Sequence, residues 1–101
     1  MLTCPGETFA SRVAGSLLRT LGLDSLIASS MDSYVEIACR LAGAPSELKS
    51  IKERLELGKA TSPLYDKARL TRHMEDAFER MVQTYISGAL PRAFAVSPRA
   101  R

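Results

Sequence analysis

The segment from Leu2 to Gly22 constrains the fold most, because it changes abruptly from strand-like residues to a helical pattern. The change falls at Pro5 and Gly6, and a proline cannot donate the backbone hydrogen bond that a strand ladder requires. Beyond it, apolar residues recur at every fourth position, which is the spacing of one helix face. These residues are Phe9, Val13, Leu17 and Leu21. The segment therefore predicts a strand stub, a tight turn and a helix, which is the alternation of α/β folds.

Three further segments show the apolar period and the end signals of helices, so the chain is predicted to be mainly α, with four helices after the strand stub. The helices are expected near residues 8–21, 31–42, 45–57 and 67–87, with Ser30 and Asp66 as the caps that begin the second and the last. The last has the clearest apolar stripe, from Leu70 to Tyr85, and we expect this stripe to be the main stabilising contact. Six side chains are expected to be largely buried. They are Phe9, Val13, Leu48, Leu55, Phe78 and Met81.

Glycines follow the periodic segments at four places, where a helix often closes with a left-handed residue. These are Gly22, Gly43, Gly58 and Gly88. Gly15 differs because it lies inside the first helical pattern, where glycine costs roughly 1 kcal/mol relative to alanine. That cost indicates that another backbone segment lies close to the first helix at Gly15.

The net charge of +3 arises entirely from Arg92, Arg99 and Arg101, because the acidic and basic side chains of the preceding residues cancel. A neutral body does not track the phosphates of a nucleic acid, so nucleic-acid binding is not indicated. Residues 95–101 are expected to form a basic, flexible tail.

The sequence shows no membrane or targeting segment, because its apolar runs fall short of the roughly 20 residues of a membrane span and its start lacks a signal peptide. Cys4 and Cys39 have no CxxC spacing and no clustered histidines, so both are predicted to be reduced and buried, and no metal site is expected. These features favour a cytoplasmic protein.

The run PGETFASRVAGS, from Pro5 to Ser16, resembles the end of the catalytic region of the protein O-linked N-acetylglucosamine transferases. It is most similar to the bacterial and SPINDLY-like members, which follow tetratricopeptide repeats. The resemblance continues into the second helix, resumes at SPLYD, from Ser62 to Asp66, and extends to about Phe94. It implies a GT-B architecture, in which two Rossmann-like lobes hold the nucleotide sugar between them. Residues 1–94 would then be the C-terminal part of the second lobe.

The resemblance also implies an enzyme that transfers N-acetylglucosamine (GlcNAc) from its uridine diphosphate (UDP) donor to serine or threonine of proteins. The family's donor-binding elements, a His-Thr-Thr run with a following Asp and an upstream Lys, have no counterpart in this sequence. No catalytic residue is therefore assigned, and we expect a scaffold that is inactive alone and has no cofactor of its own. It would be a truncated gene product, an expressed fragment or a remnant. Its expected partner is the remainder of the catalytic region, or a second copy that pairs through the N-terminal strand edge.

Four residues at the start of the first helix are candidates for lining the cleft of the full enzyme. They are Gly6, Glu7, Thr8 and Arg12. Two of them also have structural explanations. Glu7 is expected in the first helical turn, where the positive end of the helix dipole favours a carboxylate, and Arg12 is expected to pair with an acidic residue. His73 is the only histidine. Without an orienting carboxylate or a nearby nucleophile, it is predicted to be a solvated surface residue.

Two other functions are compatible with the sequence. A helical protein–protein interaction module would dock on a partner through an apolar helix face that the chain leaves uncovered. A small nucleic-acid binder would use the tail arginines, although three charges without interleaved aromatic residues give this function little support.

Overall fold

The structure is a computed structural model that describes residues 1–99. These residues form four α-helices, which confirms the predicted number and positions. The helices are α1 (Phe9–Thr20), α2 (Met31–Ala42), α3 (Pro45–Gly58) and α4 (Lys67–Ile86). Two short 3₁₀ turns, Asp24–Leu26 and Pro63–Tyr65, connect them. The chain divides into two units, of which the first ends at Tyr65 and the second begins at Asp66.

The predicted strand stub is wrong, because residues 1–99 contain no strand. Instead, Thr3 and Ile27 form a parallel bridge. The Thr3 N–H donates to the Leu26 carbonyl at 3.0 Å, and the Ala28 N–H donates to the Thr3 carbonyl at 2.7 Å. The segment around Thr3 therefore pairs with a neighbouring segment of the same chain, and α1 is the crossover that makes the parallel direction possible.

A Schellman motif ends α1 at the predicted glycine. Gly22 has φ +70°, and its N–H donates to the Arg19 carbonyl at 3.0 Å, while the Leu23 N–H donates to the Leu18 carbonyl at 2.9 Å. This pattern reverses the chain and brings Leu18 and Leu23 into hydrophobic contact. Both side chains are only 3% exposed and belong to one core cluster. The cap therefore fixes the direction of the chain and also begins the core.

The core of the first unit lies around this cap rather than along the predicted apolar stripe of α1. Its buried apolar residues are Leu18, Leu23, Leu26, Ala28 and Leu41. The expectation that Phe9 and Val13 are buried is wrong, since Phe9 is 87% exposed and Val13 is also exposed. The cap and the parallel bridge turn the side of α1 that carries Gly15 and Leu18 inward. Of the predicted stripe, Phe9, Val13 and Leu17 therefore face outward, while Leu21 packs against the core.

The helices α2 and α3 complete the first unit. The predicted cap of α2 is confirmed, because the Ser30 hydroxyl accepts from the Ser33 N–H at 3.1 Å. Arg40 of α2 pairs with Glu47 of α3, and the Arg54 guanidinium of α3 donates to the Gly22 carbonyl at 3.0 Å. Partly buried side chains of both helices pack on the core, namely Ile37, Ile51 and Leu55. Leu48, which was also expected inside, is exposed.

The other glycine predictions have mixed outcomes. Gly88 ends α4 with φ +74°, as predicted, but Gly43 has φ −86° and Gly58 is the last residue of α3. Gly15 is buried, and a methyl group there would lie 3.9 Å from Ile27 Cγ2 and 4.0 Å from Pro5 Cβ. Side chains, rather than the expected backbone, therefore approach α1 at Gly15.

The second unit does not bury the apolar stripe of α4, so the prediction that this stripe is the main stabilising contact is wrong. Asp66 caps the helix as predicted, accepting from the Arg69 N–H at 2.9 Å. Phe78 and Met81, which were expected to be buried, are 55% and 52% exposed. No α4 residue is buried, because the tail of this unit contacts a different side of the helix.

Both cysteines are free, as predicted, but the two differ in burial. Cys4 is half-buried and Cys39 on α2 is exposed, so the prediction that Cys39 is buried is wrong. Within the described part of the chain, no helix is long and apolar enough to cross a membrane.

We predict that Gly22→Ala lowers the free energy of unfolding by about 1–2 kcal/mol, because an alanine at φ +70° adopts a left-handed conformation. Gly58→Ala is the matched control. Gly58 is the last residue of α3, its φ is not positive, and open space surrounds it, so alanine should be neutral or stabilise by up to about 1 kcal/mol. Urea denaturation measures both, and equal effects would contradict the assignment of the cap.

We predict that Leu18→Ala lowers the free energy of unfolding by about 2–5 kcal/mol, the usual cost of truncating a buried leucine. Phe78→Ala should cost less than about 1 kcal/mol, because this side chain is more than half exposed. Chemical denaturation followed by circular dichroism compares the two variants. A larger effect of Phe78→Ala would show that α4, and not the turn at Gly22, carries the stability of the isolated chain.

Candidate functional site

The four candidate cleft residues lie at the turn before α1 and in its first turns. Thr8 is the N-cap of α1, and its hydroxyl accepts from the Ser11 N–H at 3.3 Å. Glu7 lies before the cap, so the first turn of α1 has no acidic residue and the expected position of Glu7 within that turn is wrong. Gly6, Glu7 and Arg12 are exposed. Thr8 therefore has a structural role, while the other three are exposed and can contact a ligand or another protein.

An open groove of about 800 Å³ runs along α1. It is lined by Pro5, Gly6, Phe9, Arg12, Val13, Gly15, Ser16, Leu17 and Arg19. Two of the four candidates, Gly6 and Arg12, belong to this lining, whereas Glu7 and Thr8 do not. The structure thus brings together half of the predicted set in one concave surface.

Arg12 supplies an uncommitted positive charge to this groove. The expected pairing of Arg12 with an acidic residue is wrong, since Arg12 has no ion pair or hydrogen bond within residues 1–99. Arg19, also in the lining, lies 3.6 Å from Asp24 through its Nε atom. The lining itself contains no carboxylate. A free guanidinium presents several N–H donors in one plane, which suits a carboxylate or phosphate group.

The groove also has an apolar part. The exposed side chains of Phe9, Val13 and Leu17 line it, together with Ser16. No histidine lies in the lining to activate the Ser16 hydroxyl. The groove is therefore suited to packing and to holding an anion rather than to nucleophilic catalysis.

His73 is not the solvated residue that was predicted. Its ring is half-buried, and the Nε2 atom accepts from the backbone N–H of Arg99 at 3.0 Å. The Arg99 guanidinium also donates to the Asp76 carboxylate through two nitrogens, one of them at 2.7 Å. These hydrogen bonds and the attraction of Asp76 raise the pKa of Arg99 above its usual value. Through the hydrogen bond from the Arg99 N–H, His73 therefore holds the chain near Arg99 against α4.

The tail gives little support to nucleic-acid binding. Of the three arginines that provide the excess charge, Arg99 is neutralised by Asp76, and Arg101 lies outside the described residues. Across the described range, 1–99, no group of histidine, cysteine and acidic side chains is arranged to hold a metal ion. The assignment of residues 95–101 as a separate flexible tail stays a prediction.

Sequence reasoning missed Arg19 and the outward position of Phe9. One signal for Arg19 was present, because Arg12 and Arg19 are seven residues apart and thus share a helix face. The exposure of Phe9 had no local signal, because an apolar period reports a helix face but does not identify what covers it.

Comparisons with known proteins place this chain among glycosyltransferases. Residues 1–74 match the model of glycosyl transferase family 41. "Probable UDP-N-acetylglucosamine--peptide N-acetylglucosaminyltransferase SPINDLY" of Solanum lycopersicum is 37% identical over 90 residues, which is 89% of this chain and 10% of that protein. "Probable UDP-N-acetylglucosamine--peptide N-acetylglucosaminyltransferase SEC" of Arabidopsis thaliana is 35% identical over 97 residues, or 95% of this chain and 10% of that protein.

A third relative is the UDP-N-acetylglucosamine–peptide N-acetylglucosaminyltransferase of Caenorhabditis elegans. It is 36% identical over 88 residues, which cover 87% of this chain and 8% of that protein. The chain thus spans about a tenth of the length of the relatives it matches. The similarity confirms the family that the sequence motifs indicate.

We predict that Arg12→Ala changes the free energy of unfolding by less than about 0.5 kcal/mol, because the side chain is exposed and unpaired. Arg54→Ala is the matched control, since its guanidinium donates to the Gly22 carbonyl, and it should cost about 1 kcal/mol. Urea denaturation of both variants makes the comparison. A loss for Arg12→Ala as large as that for Arg54→Ala would assign Arg12 a structural role and remove it from the candidate site.

Proposed function

This chain belongs to glycosyl transferase family 41, and we propose that it forms part of the second, Rossmann-like lobe of a protein O-GlcNAc transferase. The full enzyme would transfer N-acetylglucosamine from UDP-N-acetylglucosamine to serine or threonine side chains of proteins. Within it, this chain acts as a scaffold, and the donor-binding and catalytic groups come from other parts of the enzyme. A cytoplasmic location remains a prediction.

The observation that carries this proposal is the unit formed by Thr3, α1 and Ile27. Two extended backbone segments pair in parallel, and the 12-residue helix α1 connects them. Parallel pairing requires a crossover of about a dozen residues or more, which is usually a helix. Such a crossover is the repeating unit of Rossmann-like lobes. The unit supports the α/β lobe that family membership suggests, although most of the described residues are helical.

The open surfaces of this unit support its place inside a larger sheet. Thr3 uses both its N–H and its carbonyl toward the segment of Ile27. Since successive residues of an extended chain direct these groups to opposite edges, those of Leu2 and Cys4 point away from Ile27. A further parallel strand fits along that edge. More of the lobe would then cover the C-terminal part of the exposed stripe of α1, at Leu17, since parallel sheets are buried on both faces.

The groove along α1 fits the wall of a ligand cleft in such a lobe. In α/β sheets, ligands bind beyond the carboxyl ends of the strands. The Pro5–Gly6 turn follows the extended segment of Thr3 directly, so it occupies that end. Arg12 adds a free positive charge there, which would attract an anionic group of an acceptor protein.

The isolated chain should not catalyse transfer. Transfer depends on holding donor and acceptor in reacting geometry, a contribution of roughly 7–11 kcal/mol that needs a closed cleft. It also depends on groups that stabilise the departing diphosphate. An open groove with one unpaired arginine supplies neither. Its partner in this proposal is the remainder of a family 41 catalytic region.

We predict that a chimera of the C. elegans relative is an active transferase when this chain replaces the stretch that it matches. Its rate with UDP-N-acetylglucosamine and an acceptor peptide should lie within about tenfold of the unmodified relative, a difference of about 1.4 kcal/mol in the barrier. The control is the same relative with the stretch deleted, which should be inactive. A folded chimera as inactive as this deletion would contradict the proposed function.

The isolated chain provides a second control. Calorimetry should show UDP binding in the millimolar range or weaker, because about 4 kcal/mol is the most that a partial cleft wall is expected to provide. Micromolar binding by the isolated chain would show that it contains a donor site of its own and is not a scaffold.

A further inference from the structure

Residues 94–99, which we call the strap, run back along the polar side of α4. At one end of the strap, the Arg80 guanidinium lies 4.7 Å from the ring centroid of Phe94, which is within the range of a cation–π interaction. The same guanidinium donates to the Ala95 carbonyl at 3.0 Å. An arginine side chain keeps its proton in proteins, so this end of the strap is held independently of pH.

The other end of the strap is held by two side chains of α4. The Arg99 N–H donates to His73 Nε2 at 3.0 Å, and the Arg99 guanidinium donates to the Asp76 carboxylate through two nitrogens, one of them at 2.7 Å. His73 and Asp76 are three residues apart, so they are neighbours on one face of the helix. The two side chains therefore act together on one residue, and we call them the Arg99 clamp.

The histidine contact of the clamp depends on the protonation state of the imidazole. A ring nitrogen that accepts a hydrogen bond carries no proton, so the contact requires a neutral His73 ring with its proton on Nδ1. A protonated imidazole is a donor at both nitrogens and cannot accept the Arg99 N–H. Histidine ordinarily changes charge between about pH 5 and 8, so one proton removes this contact within that range.

The charged groups that face His73 within the second unit extend this effect to the other contact. Asp76 lies one turn ahead on α4, Arg69 lies one turn behind, and Arg99 approaches from the strap. A protonated ring is attracted by the carboxylate and repelled by the two guanidinium groups. It would therefore compete with Arg99 for Asp76, so one proton weakens both contacts of the clamp.

Release of the clamp leaves no deeply buried charge without a partner. The Arg99 side chain is 51% exposed and the Asp76 side chain 26%. Glu75 and Glu79 also attract Arg99, although neither forms an ion pair with it among residues 1–99. Exposed ion pairs contribute little to stability, so the hydrogen bond to His73 is a substantial part of what holds this end of the strap.

We propose that the Arg99 clamp is a pH-sensitive latch, in which protonation of the His73 ring releases the end of the strap at Arg99. The end at Phe94 stays attached to Arg80. The latch is closed while the ring is neutral and opens as the ring gains a proton, so it is closed at about pH 7.5 and open at about pH 5.5. This inference goes beyond the proposed function and does not depend on it, because every contact lies within the second unit.

Nuclear magnetic resonance relaxation of the ¹⁵N-labelled chain tests the proposal. The order parameter of the Arg99 amide should be close to about 0.85, the value of rigid backbone, at the higher pH and should fall below about 0.6 at the lower one. The amides of Ala95 and of α4 should stay ordered at both. An Arg99 amide that stays ordered would overturn the proposal. A simultaneous loss of order in α4 would also overturn it, because that result is general unfolding rather than local release.

The same spectra provide a test that needs no mutation. His73 is the only histidine of the chain, so its ring protons report its titration without ambiguity. The midpoint of that titration should coincide with the midpoint for the loss of order at Arg99. Two different midpoints would show that another group controls the strap and would overturn the proposal.

A matched pair of variants separates the proton from the hydrogen bond. In His73→Gln the side-chain carbonyl can accept the same N–H but does not titrate, so Arg99 should stay ordered at both pH values. In His73→Ala the acceptor is absent, so Arg99 should be mobile at both. A loss of order in His73→Gln at the lower pH as large as that of the unmodified chain would overturn the proposal, as would an ordered Arg99 amide in His73→Ala.

Discussion

The Schellman motif at Gly22 is the interaction on which the rest of the first unit depends. Because Gly22 takes a left-handed conformation, the chain reverses at the end of α1 and sets Leu23 against Leu18. The reversal directs Ile27 back beside Thr3, where the parallel bridge forms. Arg54 of α3 then donates to the Gly22 carbonyl, so the same turn also positions α3. One glycine thus links the crossover, the core and the helix that packs on them.

The first unit buries one side of α1 in its core and leaves the other side exposed. Leu18 and its neighbours fill the inside, while Phe9, Arg12 and Leu17 line an open groove on the outside. In the second unit, residues 94–99 contact the polar side of α4, and its apolar side chains, such as Phe78, remain exposed. Exposed apolar surfaces of this kind are expected for part of a larger lobe. They agree with the membership of family 41 and with the length of the relatives.

The sequence predicted what local chemistry determines. The capping serine Ser30, the capping aspartate Asp66 and the terminal glycines Gly22 and Gly88 act through neighbouring backbone groups, so helix ends were predictable to within a residue or two. Burial was not predictable in the same way. An apolar period shows that a helix has an apolar side, but Phe9 and Phe78 are exposed because the described chain provides nothing to cover them. The pairing of Thr3 with Ile27 and the free state of Arg12 depend on contacts distant in sequence, which no local signal reveals.

If Thr3, α1 and Ile27 form one crossover of a larger parallel sheet, an experimental structure of the C. elegans chimera will show the next strand of that sheet. The decisive measurement is the distance from the backbone groups of Leu2 and Cys4 to the nearest extended segment. We expect a parallel strand on the side away from Ile27, with nitrogen-to-oxygen distances of about 2.9 Å. Solvent or a helix along that edge, with the Leu2 and Cys4 groups unpaired in the folded chimera, would contradict it.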